Sequence, residues 1–284
     1  MISSSDYAAL DQISTLNKSD KMPVLFIGHG SPMNAIGDNE YRRSWQELGA
    51  QFGTKMARPQ LILCISAHWL TEGWWLTAMA QPKTIHDFGG FPQELFDQQY
   101  PAPGDPAAAQ AISLLVKQRA SAPLGQDFSE WGLDHGAWSV LKPMFPDAEI
   151  PVIQLSMDYA RAPEDHYALA RQLKALRNRG VLIVASGNIV HNLRLFDFNN
   201  PQPLLWAEQF DAQIQRHLSA GEHQPLIDYP ALGPHSRLAI PTAEHYLPLL
   251  YSLGVQAPDE PLRIFNSTVL SAISMTSVVI GAEP

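Results

Sequence analysis

Apolar residues in this chain fall into two patterns. Positions 24–27, 61–65, 151–155 and 181–184 are short runs with almost no polar alternation. Three of them end at turn-forming or polar clusters, Gly28-His29-Gly30, Ser66-Ala67-His68 and Ser186-Gly187-Asn188. Runs of this length predict strands buried on both faces, the habit of a parallel sheet. Between them the apolar spacing changes to that of helices. Helices are predicted over 38–52, over 105–119 with Pro106 at the first helical position, and over 163–179. The last places Ala168, Leu169, Leu173 and Leu176 on one face and stops at Gly180. Stretches 206–218 and 242–253 are further helices, and the β-branched stretch 273–280 adds a strand. Strands alternating with helices predict an α/β fold. Residues 1–21 read as a polar leader. Residues 22–284 read as one α/β domain, with a largely parallel or mixed central sheet flanked by helices.

Composition narrows the class. Of 284 residues 45% are apolar and 17% charged, which suits a packed globular chain rather than a disordered one. A net charge of −9 repels phosphate backbones and anionic lipid, so nucleic acid and membrane surfaces are excluded as expected partners. Cys64 stands alone, so no internal disulfide is available. No basic and apolar signal segment opens the chain, and no apolar run approaches the ~20 residues of a membrane span. The expected location is the cytoplasm.

The candidate chemistry lies in the histidines. His29, His68 and His191 fall just beyond the predicted ends of three separate strands. Ligands of open α/β sheets bind at that edge, so side chains far apart in sequence can meet there, and a metal site is expected at these strand ends. Glu244-His245 is a further pair. With Thr242 as cap, both residues would occupy the first turn of the 242–253 helix, pointing about 100° apart. Two histidines and a carboxylate suit non-heme Fe(II) with open positions, whereas three histidines and a water suit zinc hydrolysis. Spacing alone leaves both open.

Six motifs then carry a specific resemblance. They are Gly28-His-Gly-Ser-Pro32, Ser66-Ala-His-Trp69, Thr84-Ile-His-Asp-Phe-Gly-Gly-Phe-Pro92, Trp131-Gly-Leu-Asp-His-Gly-Ala-Trp138, Ser186-Gly-Asn-Ile-Val-His-Asn-Leu193 and Glu244-His-Tyr-Leu-Pro-Leu249. Together and in this order they resemble the 4,5-DOPA extradiol dioxygenases, a branch of the class III ring-opening enzymes. The resemblance implies a mononuclear site held by His29, His68 and His245, with Glu244 as the alternative to His245. It implies His191 as acid/base and as a possible fourth ligand. His135 becomes a second catalytic histidine in contact with substrate. The implied reaction opens a catechol such as DOPA with O2, giving a muconate semialdehyde-type product. Fe(II) is the metal expected for catalysis, because zinc has no second oxidation state, and Zn(II) is the metal the same donors would also bind.

Other residues have two readings. His86-Asp87 would orient substrate from a covering loop, or simply structure that loop. Asn188 and Asn192 would bond substrate or tie down the turn at His191, and Asp134 would fix the His135 tautomer or cap a helix. Ser31 lacks the Gly-x-Ser-x-Gly elbow of a nucleophile. Cys64 and most tryptophans are core residues, and His166, His217, His223 and His235 are expected at the surface. A zinc-dependent hydrolase and a non-catalytic binding protein on the same scaffold are the rival readings. The sequence specifies neither the physiological catechol nor the oligomeric state.

Overall fold

The uninterrupted apolar runs form the middle of the sheet. In the computed structural model, which describes residues 16–118 and 121–282, the strands are β1 (Val24–Gly28), β2 (Leu61–Thr71), β3 (Trp75–Thr77), β4 (Lys83–Thr84), β5 (Gly125–Asp127), β6 (Gly132–Leu133), β7 (Val152–Asp158), β8 (Val181–Gly187), β9 (Leu262–Phe265), β10 (Val269–Leu270), β11 (Ile273–Ser274) and β12 (Ser277–Ile280). The longer helices are α1 (Glu40–Gly49), α2 (Pro106–Leu115), α3 (His135–Met144), α4 (Pro163–Leu173), α5 (Leu205–Ala220) and α6 (Leu247–Gly254). Eight strands make one mixed sheet in the order β5-β3-β7-β2-β8-β1-β12-β9. Its centre, β7-β2-β8-β1, is parallel. Antiparallel β12 and β9 extend one side, and β3 meets β7 antiparallel on the other.

Why the central strands lack polar alternation is visible in their neighbours. Val24, Phe26, Leu61, Leu63, Val181 and Ile183 enter one apolar cluster. Leu25, Ile27, Ile62, Cys64, Leu182 and Val184 enter another on the opposite face. Each such side chain contributes about 1.5–3 kcal/mol by leaving water, so a polar residue on either face would be costly. The exceptions are satisfied. Gln154 of β7 donates to the Asp134 carboxylate, and Ser156 shares a 2.6 Å hydrogen bond with Thr71.

Several predicted boundaries move. The 163–179 helix is α-helical only to Leu173 and tightens to a 3-10 turn over Lys174–Arg179, ending at Gly180 with φ 70°. The 273–280 strand is two, β11 and β12, in different sheets. The 242–253 helix begins only at Leu247, with a proline in its first turn, so Glu244 and His245 lie in a turn ahead of it. The helices expected over 38–52 and 206–218 form with shifted ends, the first capped by Asn39. The 105–119 helix ends at Leu115, and residue 119 lies outside the described residues. Of the leader, residues 1–15 also lie outside them. Leu16 is buried in the core, and Asn17 exchanges backbone bonds with the Gln60 amide.

His166 is not at the surface. It is fully buried, and its Nδ1 accepts from the Tyr251 hydroxyl, which in turn accepts the Trp74 indole N–H. No helix among the described residues is long and apolar enough to cross a membrane.

Candidate metal centre

Parallel pairing of β1 and β2 with β8 brings their C-terminal ends to one edge of the sheet. His29 is the residue after β1. Gly30 beside it has φ 57°, a left-handed conformation that glycine adopts without Cβ strain, and the chain turns away at once. His68 does not lie beyond its strand as expected. β2 continues through it to Thr71, and pairing with β7 slips between Ile65 and Leu70. Such an irregularity re-aims side chains next to a site.

His191 lies in the segment after β8, where its N–H bonds Ala239 O and its backbone bridges Ile273. His245 sits in the turn before α6, its carbonyl accepting the Asn188 N–H at 2.7 Å. Gly187 allows that approach, because a Cβ there would overlap the His245 carbonyl oxygen. His135 opens α3, which Asp134 caps by accepting the Ala137 N–H. Of the two readings of Asp134, the cap is the one observed.

The rings of His29, His68 and His245 form a near-equilateral triangle, with centroids 5.2, 5.3 and 5.2 Å apart. One donor atom from each lies within 4.8 Å of the others. Proton positions follow from the hydrogen-bond partners. Ser186 Oγ donates to Gly136 O at 2.6 Å, so it must accept from His29 Nδ1 at 2.9 Å, leaving the His29 Nε2 lone pair free. His68 Nδ1 lies 3.1 Å from Asp87 Oδ2, and His245 Nδ1 lies 3.3 Å from Glu244 Oε1. Both carboxylates draw the ring proton to Nδ1. The two Nε2 atoms of His29 and His68 thus face each other at 3.4 Å. Two lone pairs at that distance repel, and a shared proton or a metal ion held by both would relieve the repulsion. This donor set, three neutral imidazole nitrogens braced from behind, fits one divalent cation.

Electrostatics agree with the geometry. Burial, then the neighbouring histidines, holds His29 and His245 well below the usual imidazole range. His191 is held down to about 4, again chiefly by burial. His68 moves the other way. Burial depresses it, but hydrogen bonding to Asp87 and the charge of Asp134 outweigh that and raise it. Asp87 is itself pushed well below the usual carboxylate range, because contacts with His135 and His68 exceed its desolvation.

The remaining expected residues take distinct places. His191 stacks on His245 with centroids 3.4 Å apart and planes 7° apart, and shares donor reach with Glu244 and His245 rather than with His29 and His68. Glu244 stands behind His245, its Oε1 also accepting the Thr242 hydroxyl at 2.7 Å. His135 meets His68 at 3.8 Å between centroids. Asn188 spends its amide N–H on Ser274 O, and its Oδ1 is buried without a partner. Asn192 caps the turn that follows it. His86 packs among Phe88, Phe96 and Trp138, with Nε2 donating to Gln98 O. One contributor was not singled out from sequence, Ser186, which orients His29, and Asp87, expected to orient substrate or structure its loop, lies against His68 and His135 instead. Only the place of Ser186 in the Ser-Gly-Asn motif hinted at it.

Residues 23–279 match the family described as the catalytic LigB subunit of aromatic ring-opening dioxygenase. Among curated proteins, the chain is 47% identical over 268 residues to a 4,5-DOPA dioxygenase extradiol of Escherichia coli K12, covering 93% of this chain and 96% of that one. It is 34% identical over 249 residues to a 4,5-DOPA dioxygenase extradiol of Beta vulgaris, covering 86% and 91%. A crystal structure of an uncharacterized Escherichia coli K12 protein superposes with a TM-score of 0.78 at 42% identity, covering 92% of this chain and all of that one.

Proposed function

Because this chain belongs to the LigB family of aromatic ring-opening dioxygenases and is an extradiol dioxygenase, we propose that it opens a catechol bearing a modest side chain, DOPA being the first to test. The reaction is metal-dependent. We assign Fe(II) as the metal and His29, His68 and His245 as its holders. The observation that supports this is the commitment of each Nδ1, to Ser186, Asp87 and Glu244, which leaves Nε2 as the free donor of each ring, with the Nε2 atoms of His29 and His68 3.4 Å apart. When bound, Fe(II) would acidify the catechol hydroxyls and supply the electron density that activates O2.

The chain's own groups manage protons and position. A catechol binds as an anion and must shed a hydroxyl proton on arrival. His191, stacked on His245, would take it and return it to the ring-opened product, a muconate semialdehyde. His135 would hydrogen-bond the second hydroxyl from beside His68. Asn188, 1% exposed with its amide N–H on Ser274 O, is left to tie down the turn ahead of His191. His86, committed to Gln98 O, is left to hold the loop.

The test uses anaerobically purified protein loaded with Fe(II) and mixed with DOPA and simpler catechols. The expected result is consumption of one O2 per catechol with growth of a yellow semialdehyde absorbance. His191→Ala should cut turnover by 10²–10⁴-fold, the usual reach of acid/base catalysis, while keeping the metal. No O2 uptake by iron-loaded protein with any catechol would overturn the assignment.

A further inference from the structure

The loop joining β4 to the short helical turn at Gln93–Phe96 is anchored residue by residue. Ile85 donates its N–H to Leu133 O at 2.8 Å and accepts the Trp138 indole N–H at 2.8 Å. His86 bonds Gln98 O at 2.9 Å. Phe88 packs edge-on against His135, 5.4 Å between centroids. A Cβ added at Gly89 or Gly90 would meet nothing within 4 Å. The carboxylate held by this frame is Asp87. Its Oδ2 lies 3.1 Å from His68 Nδ1. Its Oδ1 accepts the His135 backbone N–H at 2.9 Å and lies 2.9 Å from the His135 ring Nδ1.

We propose that Asp87 is a positioning residue that sets the tautomer of His68 and the place of His135 together, so that one loop holds the metal-facing ring and the substrate-facing ring in a single mutual geometry. What His68 faces rests on the site assignment above. The physical basis is that an imidazole without a partner at Nδ1 carries its proton on either nitrogen, and only one of the two forms offers Nε2 to a metal. A carboxylate oxygen at 3.1 Å selects that form. The other oxygen takes the first free N–H of α3, one that Asp134 does not reach. A purely capping role would engage one oxygen; this carboxylate uses both, on two different histidines.

Asp87→Asn separates the two roles. The amide oxygen can still accept the His135 N–H, while the NH2 group now faces His68 Nδ1 and forces that nitrogen to become the acceptor. His68 should then carry its proton on Nε2, readable in ¹H–¹⁵N NMR spectra of the metal-free protein. Affinity for Co(II), used as a spectroscopic probe in competition with a chelator, should fall about 10–100-fold, the range seen when a ligand's supporting partner is lost. After iron loading, kcat should fall while the catechol KM changes little, since the His135 N–H keeps its acceptor.

Phe88→Ala, in the same loop, should change Co(II) affinity less than twofold. Should the asparagine variant fail to fold, Asp87→Ala takes its place, with the same expected loss of affinity. An unchanged His68 tautomer with Co(II) affinity within twofold overturns the inference, as does an equal loss in Phe88→Ala. Wild-type protein that binds no Co(II) overturns the metal-site assignment and this inference with it. Normal wild-type binding with an unaffected asparagine variant overturns this inference alone.

Discussion

Replacing Ser186 by alanine isolates the support of one metal-facing histidine. Ser186 is fully buried at the end of β8; its Oγ accepts from His29 Nδ1 at 2.9 Å and donates to Gly136 O at 2.6 Å. Alanine removes both bonds from a site where His29 is only 2% exposed, so water does not replace them. A buried donor left unpaired costs about 1–3 kcal/mol. The Gly136 share is lost equally with and without metal and appears only as stability. The His29 share is different. With Nδ1 unpaired, the ring gains by moving its proton to Nε2, the nitrogen a metal needs. At about 1.4 kcal/mol per tenfold, 1–3 kcal/mol corresponds to a metal dissociation constant raised about 5- to 150-fold. The assay is chelator competition with Co(II) on metal-free protein, with urea unfolding of the same samples to measure the stability share. Metal affinity within twofold of wild type, in protein that has demonstrably lost stability, would refute the tautomer argument.

Two further outcomes follow from other contacts. In Gly187→Ala the new methyl overlaps the His245 carbonyl oxygen; a displacement of about 1 Å at a reacting geometry costs on the order of 10²-fold, so turnover should fall by about that factor while urea unfolding changes far less, and unaltered turnover would count against the close approach. His166 has its pKa lowered to about 4 by burial, below the ordinary 6.5, so its contribution to stability is complete above pH 6.5 and disappears as pH falls toward 4, a change of about 3 kcal/mol; His166→Gln, compared with wild type by urea unfolding between pH 7.5 and 4.5, should flatten the profile, and an identical slope in both proteins would show that His166 is not the buried neutral group described.

How much of this was legible depends on range. The two-faced strands were legible because burial on both sides removes polar alternation, and that signal lies within five residues. Histidines following strand ends were legible for the same reason, since a parallel sheet puts those ends on one edge. Boundaries set by tertiary contact were not. The slip of β2 against β7 that places His68 inside its strand depends on a partner about ninety residues away. The turn at 242–246 ends where α6 begins rather than at Thr242. His166 shows the helical spacing expected of a surface residue. It is interior because Tyr251 and Trp74 arrive from elsewhere to meet it.

Chemistry divides the same way. Residue type and order along the chain were enough to name a ring-opening dioxygenase and to bring forward its candidate histidines, because imidazole is the side chain that is both a metal donor and a proton carrier near neutral pH. Which nitrogen each imidazole presents is invisible in one dimension. It is decided by Ser186, Asp87 and Glu244, two of them remote in sequence from the rings they hold. A tautomer is selected by a hydrogen bond about 3 Å long, and only the folded chain specifies who stands at that distance.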